Sequence, residues 1–163
     1  MPVALLLLLV AALLTQQPAT VALRAQGPGP SAASALDFEY FRTKVQPIFV
    51  AKREGHTRCV SCHSKGTPMR FQELAPGATT WTEDQSRKNF QVVLARVVPH
   101  NLGSSKLLMH PLLSDGGGDF YHSGGKHWNS ILDPEWQTLA NWVCGRKTTE
   151  KMAELTGSCT AAE

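Results

Sequence analysis

Charge is scarce in this chain. Its 163 residues hold 16 Lys and Arg against 13 Asp and Glu, a net of +3. No run of Lys or Arg stands out, so the electrostatic footprint of a nucleic-acid binder is missing. Cysteine is scarce too. Four residues are too few for a disulfide-dense scaffold, so each must be read by its neighbours. No segment repeats. No Ser-His-Asp grouping, P-loop or paired-carboxylate signature is visible. A long hydrophobic run is also lacking: the apolar stretch over residues 3–14 falls short of the roughly 20 needed to cross a bilayer. What is present is an apolar fraction of 42%, too high for a disordered chain, and a length that suits one domain.

The apolar run of residues 3–14 is followed by small residues at Ala19, Ala22 and Ala25. An apolar core and a small-residue exit predict a cleaved secretory signal over residues 1–25, cut after Ala22 or Ala25. No Lys or Arg precedes the run, so a retained N-terminal membrane anchor is the alternative. No Cys lies near the exit, which argues against a lipoprotein. Residues 26–35 are mostly Gly, Pro, Ser and Ala and read as a flexible leader. The folded domain is expected over residues 36–145, with residues 146–163 as a C-terminal tail.

Within that domain Leu36, Tyr40, Phe41, Val45, Ile48 and Phe49 recur at helical spacing. Asp37 can start this helix. Pro47 should kink or break it near Gln46, and it should end before Gly55. Thr82 and Gln85 form a capping-box pair, followed by Phe90, Val93, Leu94 and Val97 on one face. This second helix is expected to stop at Pro99. Ser104 or Ser105 can cap a short helix through Lys106, Leu107, Leu108 and Met109. Residues 115–126 are too Gly-rich to be regular. Asp133, Pro134 and Glu135 form a helix start, with Trp136, Leu139, Ala140 and Val143 as its apolar stripe and Gly145 as its end. The fold class predicted is all-α: three main helices and a short one, with long loops. Loops that long need something to order them, which points to a large apolar ligand at the centre.

The stretch of residues 55–76 has no clear period but contains Cys59-Val60-Ser61-Cys62-His63, a C-x-x-C-H pattern. This reads as covalent haem attachment. Two thiols add to the vinyl groups, and the imidazole beside Cys62 reaches the iron from one face. Three other readings fare worse. Zinc needs two more ligands in a second knuckle, and Cys144 and Cys159 are too far apart in sequence to form one. A thioredoxin-like pair needs a βαβ setting, whereas this region is flanked by helices. A Cys59–Cys62 disulfide would close a very small ring.

On this motif, the helix before it, the loops after it and an aromatic-bearing last helix, the stretch of residues 36–145 resembles the single-haem c-type cytochromes of the bacterial periplasm. The resemblance implies a cytochrome c-like fold with its loops wrapped round one covalent haem c. It implies crossed first and last helices, with Phe41 meeting Trp142 or Leu139.

The sixth iron ligand is left open. Candidates are Met69, Met109, His100, His110, His122 and His127. Met69 follows His63 too closely to wrap easily round a haem edge. His100 and His127 are read as exposed, and His110-Pro111 as a turn. His122 lies among Gly116, Gly117, Gly118, Gly124 and Gly125, which let backbone pass close to a flat cofactor. It also falls where such folds place a distal ligand, and it is preferred over Met109, whose leucine neighbours suit core packing. An open iron is the third option. Lys126 and Trp128 are offered as haem-propionate contacts. Arg58 and Arg70 could also reach the propionates, with a plain surface or packing role as the simpler reading. Trp81, Trp136 and Trp142 are assigned to the core. In an oxidising compartment Cys144 and Cys159 are expected to pair and tie the tail to the last helix.

The function expected is a periplasmic or otherwise exported carrier of single electrons. Its redox protein partners are transient, and the mature chain has no membrane span and no nucleic acid to bind. The alternative is a haem enzyme or small-ligand sensor with an open axial site, peroxidase-like in character.

Overall fold

The first described helix starts where Asp37 Oδ1 accepts the backbone N–H of Tyr40 at 2.5 Å. The structure is a computed structural model that describes residues 35–160. The apolar run, its small-residue exit and residues 26–34 of the leader lie outside the described residues. No described helix is long and apolar enough to cross a membrane.

Helix α1 is built of three abutting segments: α-helical Phe38–Tyr40, π-helical Phe41–Val45 and α-helical Gln46–Val50. Pro47 neither breaks nor ends it. Proline lacks an N–H and its ring crowds the carbonyl four residues back. A wide turn relieves this: the Gln46 N–H reaches past the usual partner to Phe41 O, so the helix continues. It ends at Ala51, which is extended, before Gly55 as the sequence predicts.

Helix α2, Cys59–His63, is one turn long and consists of the C-x-x-C-H residues themselves. Helix α3, Glu83–Leu94, opens on the predicted capping box: Thr82 Oγ1 accepts from Gln85 N at 3.3 Å, and Gln85 Oε1 accepts from Thr82 N at 3.1 Å. It stops earlier than expected. Past Leu94 the chain tightens into turns, with Arg96 N on Val93 O and Val97 N on Leu94 O. Val97 stays buried, so the apolar period outlasts the helix that suggested it.

Helix α4, Lys106–Met109, follows Ser105, but the Ser105 hydroxyl does not cap it. That oxygen turns back to Asn101 O at 2.6 Å and accepts from Val98 N at 3.0 Å, closing the preceding loop. Helix α5, Pro134–Val143, begins on the predicted proline. Asp133 is again not a cap on its own helix. Its carboxylate accepts from Asn129 N and Ser130 N and so orders the incoming loop. Gly145 ends α5 with φ +84°, and a side chain there would strike His100. Among the described residues there is no strand, only two isolated bridges, Val98 with Asn101 and Leu112 with Trp128. The described domain is therefore helical.

The core forms where α1, α3 and α5 meet. The Phe41 ring lies 5.4 Å from Trp142 and 5.2 Å from Phe90, and Phe90 lies 6.0 Å from Trp142. Each such pair adds about 0.5–1.5 kcal/mol beyond its area burial. Trp142 Nε1 donates to Asp37 O at 2.9 Å, which ties α5 to the start of α1. Trp81, Trp136 and Trp142 are all buried, as assigned. A buried amide relay adds polar specificity. Gln46 Nε2 donates to Ser86 Oγ at 2.9 Å, and Asn89 Oδ1 accepts from Gln72 N at 2.7 Å. The second bond pins the loop that leaves α2.

The tail folds back on α5. Cys144 and Cys159 are bonded in a disulfide. Two amides one turn apart on α5 grip the backbone between them. Asn141 pairs with both the N–H and C=O of Ala153, and Gln137 with both those of Leu155, at 2.7 to 2.9 Å. Leu155 is fully buried as a result.

Candidate functional site

A cleft of about 440 Å³ opens between α2, the α3–α4 turn and the glycine-rich loop. Its walls include Cys59, Cys62, His63 and His122, residues separated in sequence by two helices and brought together by the fold. Phe49, Pro68, Met69, Leu107 and Pro111 give it apolar surface.

His63 is oriented from behind. Its Nδ1 lies 2.8 Å from Met69 O and 2.9 Å from Thr67 Oγ1, which itself donates to Met69 O at 2.9 Å. Phe71 N donates to His63 O at 2.6 Å, closing the loop that makes this possible. A carbonyl facing Nδ1 fixes the hydrogen there and leaves the Nε2 lone pair for a metal. Burial holds the His63 imidazole below its usual pKa; the Met69 carbonyl opposes this and His122 adds to it. The lowering favours the neutral form, which is the form that binds a metal.

His122 repeats the arrangement with different parts. Its Nδ1 lies 2.6 Å from Gly125 O, and the same turn is closed by Gly125 N on His122 O at 2.9 Å. Gly125 takes φ +82°, a conformation few side chains tolerate. At Gly124 a side chain would press on the His122 ring at 3.3 Å. The glycines thus build the turn that orients this imidazole.

The two rings are nearly parallel, 15° apart, with centres 6.3 Å from one another. Were both Nε2 atoms turned to one ion, two metal–nitrogen bonds of about 2 Å each would put the ring centres about 6 Å apart. Among the described residues no group of three or more His, Cys, Asp or Glu converges as a chelating cluster.

The other candidates fall elsewhere. Met109 is partly buried against the core and is not part of the cleft wall. Lys126 and Trp128 are not among the residues that line the cleft. Lys126 Nζ donates to His110 O at 2.9 Å and to Asp119 O, while Trp128 is buried with Nε1 on Glu135 Oε2 at 3.2 Å. These bonds tie the loop to itself and to the first turn of α5. Met69 lines the cleft, and its carbonyl rather than its sulfur serves His63. His110 lines the wall and pairs with Asp119. His100, exposed as read, sits at φ +61° with Nδ1 on Cys144 O at 3.1 Å, remote in role from the cleft.

His127 departs from its expected exposure. It lies in the cleft wall, its ring centre 6.0 Å from that of His122, and its Nδ1 is buried with no hydrogen-bond partner among the described residues. Burial first, then the charge of Arg53, lowers its pKa to about 4. The cations of the cleft are Arg58, Arg96 and Lys106. Nothing in the local sequence marks Arg96 or Lys106. They enter the cleft because Leu107 N bonds Arg96 O at 3.0 Å, a contact that only the tight turn after α3 creates.

No family model, no curated protein and no solved structure matches this chain. The case for its chemistry therefore rests on its own residues.

Proposed function

We propose that this chain is an exported electron carrier holding one covalent haem c, with Cys59 and Cys62 as the attachment thiols and His63 and His122 as the axial ligands. One observation carries the reading: two parallel imidazoles 6.3 Å apart, each with Nδ1 tied to a backbone carbonyl, in the same cleft as a C-x-x-C pair. Two nitrogen donors suit an iron whose other positions a porphyrin fills, and the C-x-x-C thiols beside them offer that porphyrin its attachment. Haem iron supplies a one-electron couple when bound.

The chain's own part is to bind, orient and insulate. Met69 O and Gly125 O hold the two imidazoles in one tautomer and one orientation. Phe49, Leu107 and Pro111 keep water from the faces of the cleft. Arg58, Arg96 and Lys106 offer positive charge to the cofactor's carboxylates. Two imidazoles favour a lower potential than an imidazole with a thioether. Small, transient contacts with redox proteins suit such a role.

The test is expression of the full chain with c-type maturation machinery, followed by a haem-stained denaturing gel and spectra in both redox states. A stained band and a low-spin spectrum are expected. Colourless protein of bare peptide mass would remove the proposal. His122→Ala should turn the spectrum high-spin and let the reduced protein take up carbon monoxide, while Met109→Ala should leave it low-spin. The reverse pattern would move the ligand to Met109, and rapid carbon monoxide uptake by the unaltered protein would favour the open-site enzyme or sensor.

A further inference from the structure

The two thiols of the motif sit in unlike surroundings. Cys62 is exposed, and no described side chain hydrogen-bonds its sulfur. Cys59 is partly buried and packs against the hydrophobic core. Arg53 Nη1 donates to Cys59 Sγ at 3.9 Å. That guanidinium is itself clamped: Nε donates to Glu135 Oε2 at 2.5 Å and Nη2 to Ile48 O at 2.9 Å. Glu135 is held in turn by Trp128 Nε1. Ile48 belongs to α1 and Glu135 to the first turn of α5, so the clamp fixes the cation against two helices of the scaffold.

Only 14% of the Arg53 side chain is exposed. A guanidinium so placed needs partners for its N–H groups, and a strut between α1 and α5 would need only the first two contacts. The third arm goes instead to a sulfur, a weak acceptor, on a residue of the C-x-x-C-H motif. Burial raises the pKa of the Cys59 thiol, and the charge of Arg53 opposes that rise.

We propose that Arg53 is a positioning residue for thioether formation at Cys59, holding that sulfur toward the cleft when haem is received; this rests on the haem reading above. Cys59 Sγ bonds to one vinyl carbon, its S–H bond breaks, and the hydrogen ends on the neighbouring carbon. The vinyl double bond becomes single, and no electron is gained or lost, so no oxidant or reductant is consumed. Cys62, without such a partner, forms its bond independently of Arg53.

The full chain is expressed with the c-type maturation machinery as wild type, Arg53→Met, Arg53→Lys, Glu135→Gln, Cys59→Ala and Cys62→Ala. The reduced pyridine complex of each is recorded. A haem with one vinyl left has a red-shifted α band, and Cys59→Ala supplies that reference. Arg53→Met should move the band most of the way to the reference while the haem stays on the denaturing gel through Cys62. Arg53→Lys and Glu135→Gln should move it part of the way. A strut role alone predicts a lower melting temperature with the band unmoved, and that result overturns the proposal. If Arg53→Met does not accumulate, wild-type bands in both Arg53→Lys and Glu135→Gln overturn it equally. Wild-type protein without covalent haem is a separate outcome that removes the haem reading itself.

Discussion

The aromatic junction of α1, α3 and α5 and the cleft beside α2 are built on opposite principles. At the junction Phe41, Phe90 and Trp142 fill their space completely, and the polar edge of Trp142 is satisfied by Asp37 O. In the cleft, His63, His122, Cys59 and Cys62 face a volume of about 440 Å³, and the two imidazoles are braced from behind. Close packing stabilises because every contact is already made. A cleft whose walls are oriented but not touching stores none of that energy, and its order must come from neighbours that are themselves well packed. The junction is thus the scaffold, and the cleft is the part prepared to receive something.

The most severe way to break this division is through the junction. Trp142→Ala removes a fully buried ring, its two aromatic neighbours and a hydrogen bond. A loss of about 3–5 kcal/mol is expected in a denaturant titration of chain made without haem. In the same titration His122→Ala should change stability by about 0.5 kcal/mol or less, as a partly exposed loop residue does. Equal losses in the two variants would mean that the cleft carries the fold as much as the junction does.

The disulfide comes next. Cys144 and Cys159 close a loop of sequence separation 15. Replacing both by Ser should cost about 3 kcal/mol through the freed entropy of the unfolded chain. The loss should fall on the α5 side: backbone amides of 153–155, held by Gln137 and Asn141, should lose hydrogen-exchange protection first. Protection lost instead around His63 and His122 would show the two regions to be one cooperative unit.

Much of the junction was legible in the sequence, because helical periodicity and a capping box are local signals. Tyr40, Phe41, Val45 and Phe49 announce a buried stripe, and Thr82 with Gln85 announces a helix start. What the sequence hid was settled by tertiary demand. Pro47 reads as a kink or a break, and the helix runs on past it through a π-helical turn that keeps Phe41 and Phe49 both in the core. Ser105 and Asp133 read as caps, yet both side chains bond backbone groups of the loops before their helices. In the cleft, the thiol pair and His63 were plain from one contiguous pattern, and His122 was preferred among several histidines for its glycines. The convergence of Arg96, Lys106 and His127 was not legible, and neither were the loop contacts of Lys126 and Trp128. Each depends on how a turn far away in sequence is closed.

The smallest expected effect tests the junction at its polar margin. Tyr40 is fully buried, its hydroxyl 3.3 Å from Thr138 O, and burial pushes its pKa up to about 12 from 10.0, with Arg146 opposing the rise. The folded state therefore resists ionising a group that the unfolded chain ionises near 10. Below that pH both states hold the proton and the full contribution to stability is present. As the pH rises toward 12 the unfolded state sheds its proton first, and stability falls. Tyr40→Phe should cost about 0.5–1.5 kcal/mol near neutrality, the worth of one hydrogen bond. It should also flatten the decline in melting temperature between pH 10 and 12, while His122→Ala leaves that decline unchanged. A variant with the same alkaline slope as the wild type would show that the Tyr40 hydroxyl reaches water through the packing around it, and that the junction is looser at this edge than its buried surface implies.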